Sequence, residues 1–214
     1  MRIHKGAKPV VDGRFWDRIA DRYARRPIAD EAAYEKKLEM SRRYLRGDSR
    51  VLEIGCGTGS TAILHAPHVG SVLATDVSAR MLEIGREKAA AAGVDNVRFE
   101  RATAEDLEID DASVDIVLAL SLLHLLDDRV PVLAKIHNWL APGGIFVSNT
   151  AVLGDTMRWF RFIGPVGRFL GLIPLVRIFT RDELEASITA AGFEILETWQ
   201  PDPRTDFVIA RRPA

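Results

Sequence analysis

Val51-Leu52-Glu53-Ile54-Gly55-Cys56-Gly57-Thr58-Gly59 is the stretch on which the reading of the chain turns. A short apolar run carrying one acid breaks abruptly into three glycines at alternate positions. A buried parallel strand ends in this way when a tight loop follows it and opens a helix, and such loops hold nucleotide-like cofactors. Without a Cβ, Gly55, Gly57 and Gly59 let the backbone turn sharply and lie close against a ligand. Ser60 to about Ala66 reads as the following helix, stopped by Pro67, with its first N–H groups turned toward the loop.

Downstream of the loop the chain alternates strand and helix. Residues 70–76 form a second strand ending in Asp76; Ala79 to Ala92 is a helix closed by Gly93. Val97 to Phe99 is a third strand, and Val114 to Leu120 is apolar enough for a strand buried on both faces. A helix from Arg129 to Leu140 stops at Ala141-Pro142-Gly143-Gly144, and Ile145 to Asn149 is the fifth strand. Thr180-Arg181-Asp182-Glu183 is a capping signature that opens a helix ending at Gly192. Phe193 to Trp199 and Asp206 to Ala210 close the chain as two strands. This is the pattern of an α/β doubly wound, Rossmann-like sheet, mostly parallel, of seven strands with the last antiparallel.

Upstream, residues 1–13 read as a loose tail. Phe15, Trp16, Ile19, Ala20 and Tyr23 recur at helical spacing, and a second helix runs from Asp30, its N-cap, to Tyr44. One domain is expected over 1–214: tail and helical lid over 1–48, cofactor-binding core over 49–149, an apolar acceptor-side lid over 150–180, and a closing helix and strands over 181–214. The 150–179 stretch holds Trp159, Phe160, Phe162 and Phe169 among Arg158, Arg161, Arg168 and Arg177. It reads as pocket wall, as plain packing, or as a seat at a membrane interface.

Composition narrows the partners. The 214 residues carry a formal charge of -1 with both signs interspersed, so no basic footprint for nucleic acid is present. A single cysteine, Cys56, rules out a disulfide framework and suits a reduced cytoplasmic setting. No apolar run is long enough for a bilayer span, and the first residues have no apolar signal region. No cluster has metal-ligand spacing, so no metal is expected, and Asp127-Asp128 reads as loop and N-cap. The oligomeric state is left open.

Three further features accompany the loop. Glu53 lies inside the strand, where a carboxylate without a partner is costly, so it is expected to accept loop N–H groups or to meet a cation. Asp76 ends the neighbouring strand, where a carboxylate can accept both hydroxyls of a ribose. Thr103-Ala104-Glu105-Asp106-Leu107 follows the third strand, where a base ring would lie.

Glu53-x-Gly-x-Gly-x-Gly59, Asp76, Ala104-Glu105-Asp106-Leu107, Asp115-Ile-Val-Leu118 and Leu140-Ala-Pro-Gly-Gly144 together resemble the ordered motifs of class I S-adenosylmethionine-dependent methyltransferases. The nearest subgroup is the small-molecule type that includes the ubiquinone and menaquinone biosynthesis methyltransferases. The resemblance implies S-adenosylmethionine as cofactor, S-adenosylhomocysteine as product and a small apolar or amphiphilic acceptor. It also implies that Gly55, Cys56, Gly57 and Gly59 pass under the methionine part, with Glu53 near its ammonium. Asp76 would bind the ribose, Val77 and Met81 would flank the adenine, and Ala104 and Glu105 would meet its edge. Leu120 and Ser121 would lie beside the sulfonium, and Tyr23 would close over the cofactor. Many members have Asp where this chain has Thr103.

Two other readings stay open. A nicotinamide-dependent oxidoreductase would share Asp76, but its Gly-x-Gly-x-x-Gly fingerprint places the third glycine one residue later. A non-catalytic cofactor-binding protein would bind and not consume the cofactor. Methyl transfer from a sulfonium chiefly needs alignment and exclusion of water, and a base only for a reluctant nucleophile. His124, after the fourth strand, is the candidate base; His4, His65, His68 and His137 read as solvated. Cys56 reads as packing at a tight turn.

Overall fold

The computed structural model of the protein describes residues 3–4, 13–157 and 174–214. Its sheet is built from β1 (Arg50–Ile54), β2 (Ser71–Asp76), β3 (Val97–Arg101), β4 (Val114–Leu120), β5 (Leu140–Ala151), β6 (Glu194–Asp202) and β7 (Thr205–Arg211). The spatial order is β3-β2-β1-β4-β5-β7-β6. The first five strands are mutually parallel, and β7 runs antiparallel to both β5 and β6. The chain therefore steps outward from β1 through β3, then returns to the other side of β1 at β4. That reversal opens a crevice at the carboxyl ends of β1 and β4, the place where doubly wound sheets bind ligands.

Among the described residues six helices flank the sheet: α1 (Arg14–Ala24), α2 (Glu31–Arg42), α3 (Ser60–His65), α4 (Ala79–Ala91), α5 (Arg129–Trp139) and α6 (Arg181–Ala190). Their starts follow local chemistry. Asp30, Ser78, Asp128 and Thr180 cap α2, α4, α5 and α6 through side-chain oxygens, and Thr180 with Glu183 completes the reciprocal capping box. The Asp128 cap bears out the loop-and-cap role read for Asp127-Asp128, while Asp127 pairs with Arg177. Pro67 ends α3 early, and the chain continues through a short 3-10 turn over Ala66–His68.

The register of β1 is pinned at its start. The Asp115 carboxylate accepts the Arg50 backbone N–H at 2.8 Å and two guanidinium hydrogen bonds at 3.0 Å. Arg50 in turn holds the Asp115 pKa down. Both sheet faces are covered: Leu73, Leu133, Trp139 and Phe146 belong to one core cluster, and Val51, Leu118, Phe99 and Phe207 to the other.

Two boundaries differ from the sequence reading. Leu140 to Gly144 is not a turn outside the strand but its bulged beginning: Leu140 pairs with Val114 on β4 before Ile145 meets Ile116, and Gly143 N–H and Gly144 C=O bond Arg212, each at 2.9 Å. Residues Ile3–His4 form a two-residue antiparallel ribbon with Glu108–Ile109 where a loose tail was expected. The aromatic and arginine side chains expected between Arg158 and Ile173 lie outside the described residues.

Gly59 shows how tightly the loop is packed. It caps α3 with φ +69°, and a Cβ there would stand 2.5 Å from the Phe99 ring. We expect Gly59→Ala to cost about 2–4 kcal/mol, adding left-handed strain to overpacking. Urea unfolding measures it, and a loss below about 1 kcal/mol would contradict this account.

Candidate active site

The loop that leaves β1 stays on the left-handed side of backbone space, with φ +68°, +55° and +69° at Gly55, Gly57 and Gly59. Cys56 N–H donates to Thr75 C=O at 2.9 Å, tying the loop to β2. The Asp76 carboxylate completes the tie: one oxygen accepts Gly57 N–H and the other accepts Ser78 N–H, each at 2.8 Å. Asp76 is buried, which raises its pKa, while these backbone donors pull it the other way. Each carboxylate oxygen retains acceptor capacity for a further donor.

Glu53, one turn of the pleat earlier, is only 3% exposed. Among the described residues its Oε2 has no hydrogen-bond partner, and the Ala62 backbone N–H is the donor that reaches the carboxyl. Burial first, and the charge of Asp76 second, push its pKa up to about 8. Glu53 is thus protonated at neutral pH and offers an unmet oxygen at the loop.

Helix α1 is bound across the start of α4. Asp17 accepts the Ser78 hydroxyl at 2.6 Å and Arg80 N–H at 3.1 Å, and Arg80 pairs with Asp21 at 2.7 Å. These contacts set Trp16 and Tyr23 over the crevice. Tyr23 remains 47% exposed, and its ring edge lies 3.9 Å from where a Cβ on Gly57 would stand.

Two cavities meet at the loop and share Tyr23, Gly55, Gly57, Leu120 and Ser121 in their walls. The first, about 370 Å³, also takes in Asp76, Val77, Met81, Ala104, Glu105, His124, Pro174 and Val176. The second, about 490 Å³, takes in Glu53, Cys56 and Asn149 and extends toward α2. Every residue expected at the site except Gly59 lines one of them. Gly59 serves the turn and the Phe99 contact instead. Burial raises the Cys56 thiol well above its usual range, which suits packing and not nucleophilic attack. Thr103 commits its hydroxyl to Asp106 at 3.0 Å.

At the end of β4, Ser121 sits at φ +61°, a strained conformation for a residue with a side chain. Its N–H donates to Asn149 C=O at 2.6 Å. The buried Asn149, in the wall of the larger cavity, leaves its Oδ1 without a partner among the described residues. A short 3-10 turn then carries His124. Its Nδ1 accepts the Ala151 backbone N–H at 3.3 Å, so the neutral ring carries its proton on Nε2. Burial lowers its pKa to about 4.

One expectation is overturned outright. His65 is not solvated: it is 0% exposed, neither ring nitrogen has a partner among the described residues, and it lines the larger cavity. Sequence reasoning also passed over Asn149, Tyr34 and Lys37. Only the one-turn spacing of Thr61 and His65 on α3 could have marked a shared face.

Fold and crevice together define a doubly wound protein with a nucleotide-type cofactor seat at the switch point. Residues 51–144 match the family described as a methyltransferase domain. The demethylmenaquinone methyltransferase of Geobacillus stearothermophilus is 32% identical over 182 residues, covering 76% of this chain and 78% of that protein. An uncharacterized methyltransferase of Bacillus subtilis (strain 168), YcgJ, is 34% identical over 102 residues, covering 48% of this chain and 40% of that protein. The chain thus spans less than half the length of one relative and over three quarters of the other. The crystal structure of the [4+2]-cyclase SpnF superposes with a TM-score of 0.73 at 21% identity, over 100% of this chain and 88% of that one, a likeness of fold alone. The chain belongs to the S-adenosylmethionine-dependent methyltransferases.

Glu53 gives the site a measurable signature. Its folded pKa is raised, so between about 4.5 and about 8 the folded state holds a proton that the unfolded state has released. Stability conferred by this group is full below the unfolded pKa and is lost as pH rises through that window, by at most about 1.4 kcal/mol per unit. Glu53→Gln should flatten the slope when urea unfolding is followed from pH 5.5 to 8. Identical slopes in the two proteins would contradict the assignment.

Proposed function

We propose that this protein transfers the methyl group of S-adenosylmethionine to a small apolar or amphiphilic acceptor and releases S-adenosylhomocysteine. The observation that carries the reading is the pairing of Asp76 and Glu53 on either side of the glycine loop: one carboxylate with spare acceptor capacity, one carboxyl with an unmet oxygen. The residues fit the cofactor. Asp76 would accept ribose hydroxyls, and Val77, Met81, Ala104 and Glu105 would enclose the base. Glu53, Gly55, Cys56 and Gly57 would hold the methionine end, with Leu120, Ser121 and Tyr23 beside it.

When bound, the cofactor supplies an electrophilic methyl on a sulfonium. The chain's own task is to align the acceptor and keep water out. His124 suits that task as a hydrogen-bond donor through Nε2–H. It does not suit the role of base, since its free lone pair is spent on Ala151 and burial disfavours its cation. Helix α1 would act as the lid, held by Asp17 and Arg80. Pro174 and Val176 bring the end of the apolar stretch to the cavity wall, which supports an acceptor-side role for that stretch.

The glycine spacing and family membership leave a nicotinamide-dependent oxidoreductase unfavoured. Cavity space beside His124 speaks for an acceptor and against a protein that only binds the cofactor. No described helix is long and apolar enough to cross a membrane.

Two tests follow from the roles of Asp76 and His124. Asp76→Asn keeps one acceptor oxygen but sets its NH2 against either Gly57 or Ser78 N–H, and we expect about a tenfold weaker affinity for S-adenosylhomocysteine with a smaller loss of stability than in Asp76→Ala. Asp76→Ala should weaken binding about 100-fold and also loosen the loop, because Gly57 and Ser78 lose their acceptor. Calorimetric affinities equal to wild type in both variants would refute the ribose assignment. At His124, Gln retains an acceptor for Ala151 and a donor for the cavity. Turnover should therefore fall about tenfold or more in His124→Ala and much less in His124→Gln, with cofactor affinity unchanged in both. Equal turnover in wild type and His124→Ala would return the residue to packing.

A further inference from the structure

The larger cavity does not stop at the cofactor loop. It runs on between one face of α2, carrying Tyr34, Lys37, Leu38 and Ser41, and the facing side of α3, carrying Thr61 and His65. The Tyr34 and Thr61 hydroxyls bond across the gap at 3.2 Å. On the α3 wall His65 is fully buried, and neither ring nitrogen has a partner among the described residues. A buried imidazole that meets no donor and no acceptor is costly unless something outside the chain completes it.

The charge balance of the walls is one-sided. Arg26, Lys37 and Lys88 line the cavity, and among the described residues none of them forms an ion pair with a carboxylate. Lys88 reaches only the hydroxyls of Thr58 and Ser60, at 2.8 and 3.1 Å. Asp30 and Asp202 act on Lys37 at longer range, against the burial that lowers its pKa. Among the described residues the one acid in the wall is Glu53, which is assigned above to the cofactor's ammonium. Ile28, Leu38, Leu120 and Phe207 supply apolar surface to the same walls.

We propose that this cleft seats an anionic oxygen group of the methyl acceptor, a carboxylate or a phosphate, on Lys37 and His65, so that the acceptor is an amphiphilic acid. The inference rests on the methyltransferase reading and narrows it to a substrate class. Lys37 supplies charge in a partly desolvated setting, where an unpaired cation gains most from an anion. His65, whose pKa burial lowers to about 4 so that the ring is neutral, supplies one N–H donor from the facing α3 wall. The apolar middle of the cavity would hold the acceptor's body, with its nucleophile toward Ser121 and Asn149.

The test uses the full chain saturated with S-adenosylhomocysteine, titrated with benzoate, phenyl phosphate and benzamide as probes. At least one of the two anions should bind ten or more times tighter than benzamide, and the comparison of the two tells carboxylate from phosphate. Lys37→Met should abolish that preference, Lys37→Arg should restore it, and the affinity for S-adenosylhomocysteine should not change in either. Equal binding of benzamide and the anions, no binding of either anion, or a preference that survives Lys37→Met would overturn the proposal. So would a loss of S-adenosylhomocysteine affinity in Lys37→Met, because the cation would then serve the cofactor's own carboxylate. Failure of wild type to bind S-adenosylhomocysteine at all would be a different result, overturning the cofactor assignment on which the proposal rests.

Discussion

A carboxyl group without a full set of partners sits at the centre of this molecule. Glu53 is carried into the interior by β1, whose other residues are there because they are apolar. Burial and the neighbouring Asp76 make its ionised form expensive. Such a group persists in a core only where its cost is recovered elsewhere, and a cation arriving at the loop would do that. The remaining architecture holds this arrangement in place. Asp115 pins the start of β1, Thr75 and Asp76 tie down its loop, and Phe99 packs where Gly59 leaves room for it.

The lid depends on the same corner. Asp76 N-terminally precedes Ser78, and Ser78 is at once the cap of α4 and the donor to Asp17 on α1. One short segment therefore joins the ribose position, the helix that backs it and the helix that covers it. A change at Asp76 is felt in the loop through Gly57 and reaches the lid through Ser78. The crevice is assembled from few parts that share partners, so single substitutions there are not expected to act independently.

Much of this was legible in the sequence because it depends on local pattern. Apolar runs, glycine spacing and capping residues gave the seven strands, the helices and the switch point. The glycine loop, Glu53 and Asp76 stood out because their chemistry conflicts with simple burial. What escaped depends on contacts between distant segments. Gly143 and Gly144 look like a turn, and only the pairing of Leu140 with Val114 on β4, across a bulge, draws them into the strand. His65 looks like a polar residue on a short helix; α2, packed across it, takes it out of water. His124 could be placed near the crevice by its position after β4, but its tautomer is set by Ala151, which no spacing reveals.

The most direct measurement is a calorimetric titration with S-adenosylhomocysteine at pH 7, run in two buffers of different ionisation enthalpy beside a titration with a reduced nicotinamide cofactor. An ammonium arriving beside Glu53 should drive off its proton. Micromolar binding of S-adenosylhomocysteine is expected, on the order of -8 kcal/mol, with release of up to about one proton that disappears in Glu53→Gln. No binding of S-adenosylhomocysteine, or binding of the nicotinamide cofactor in its place, would contradict it.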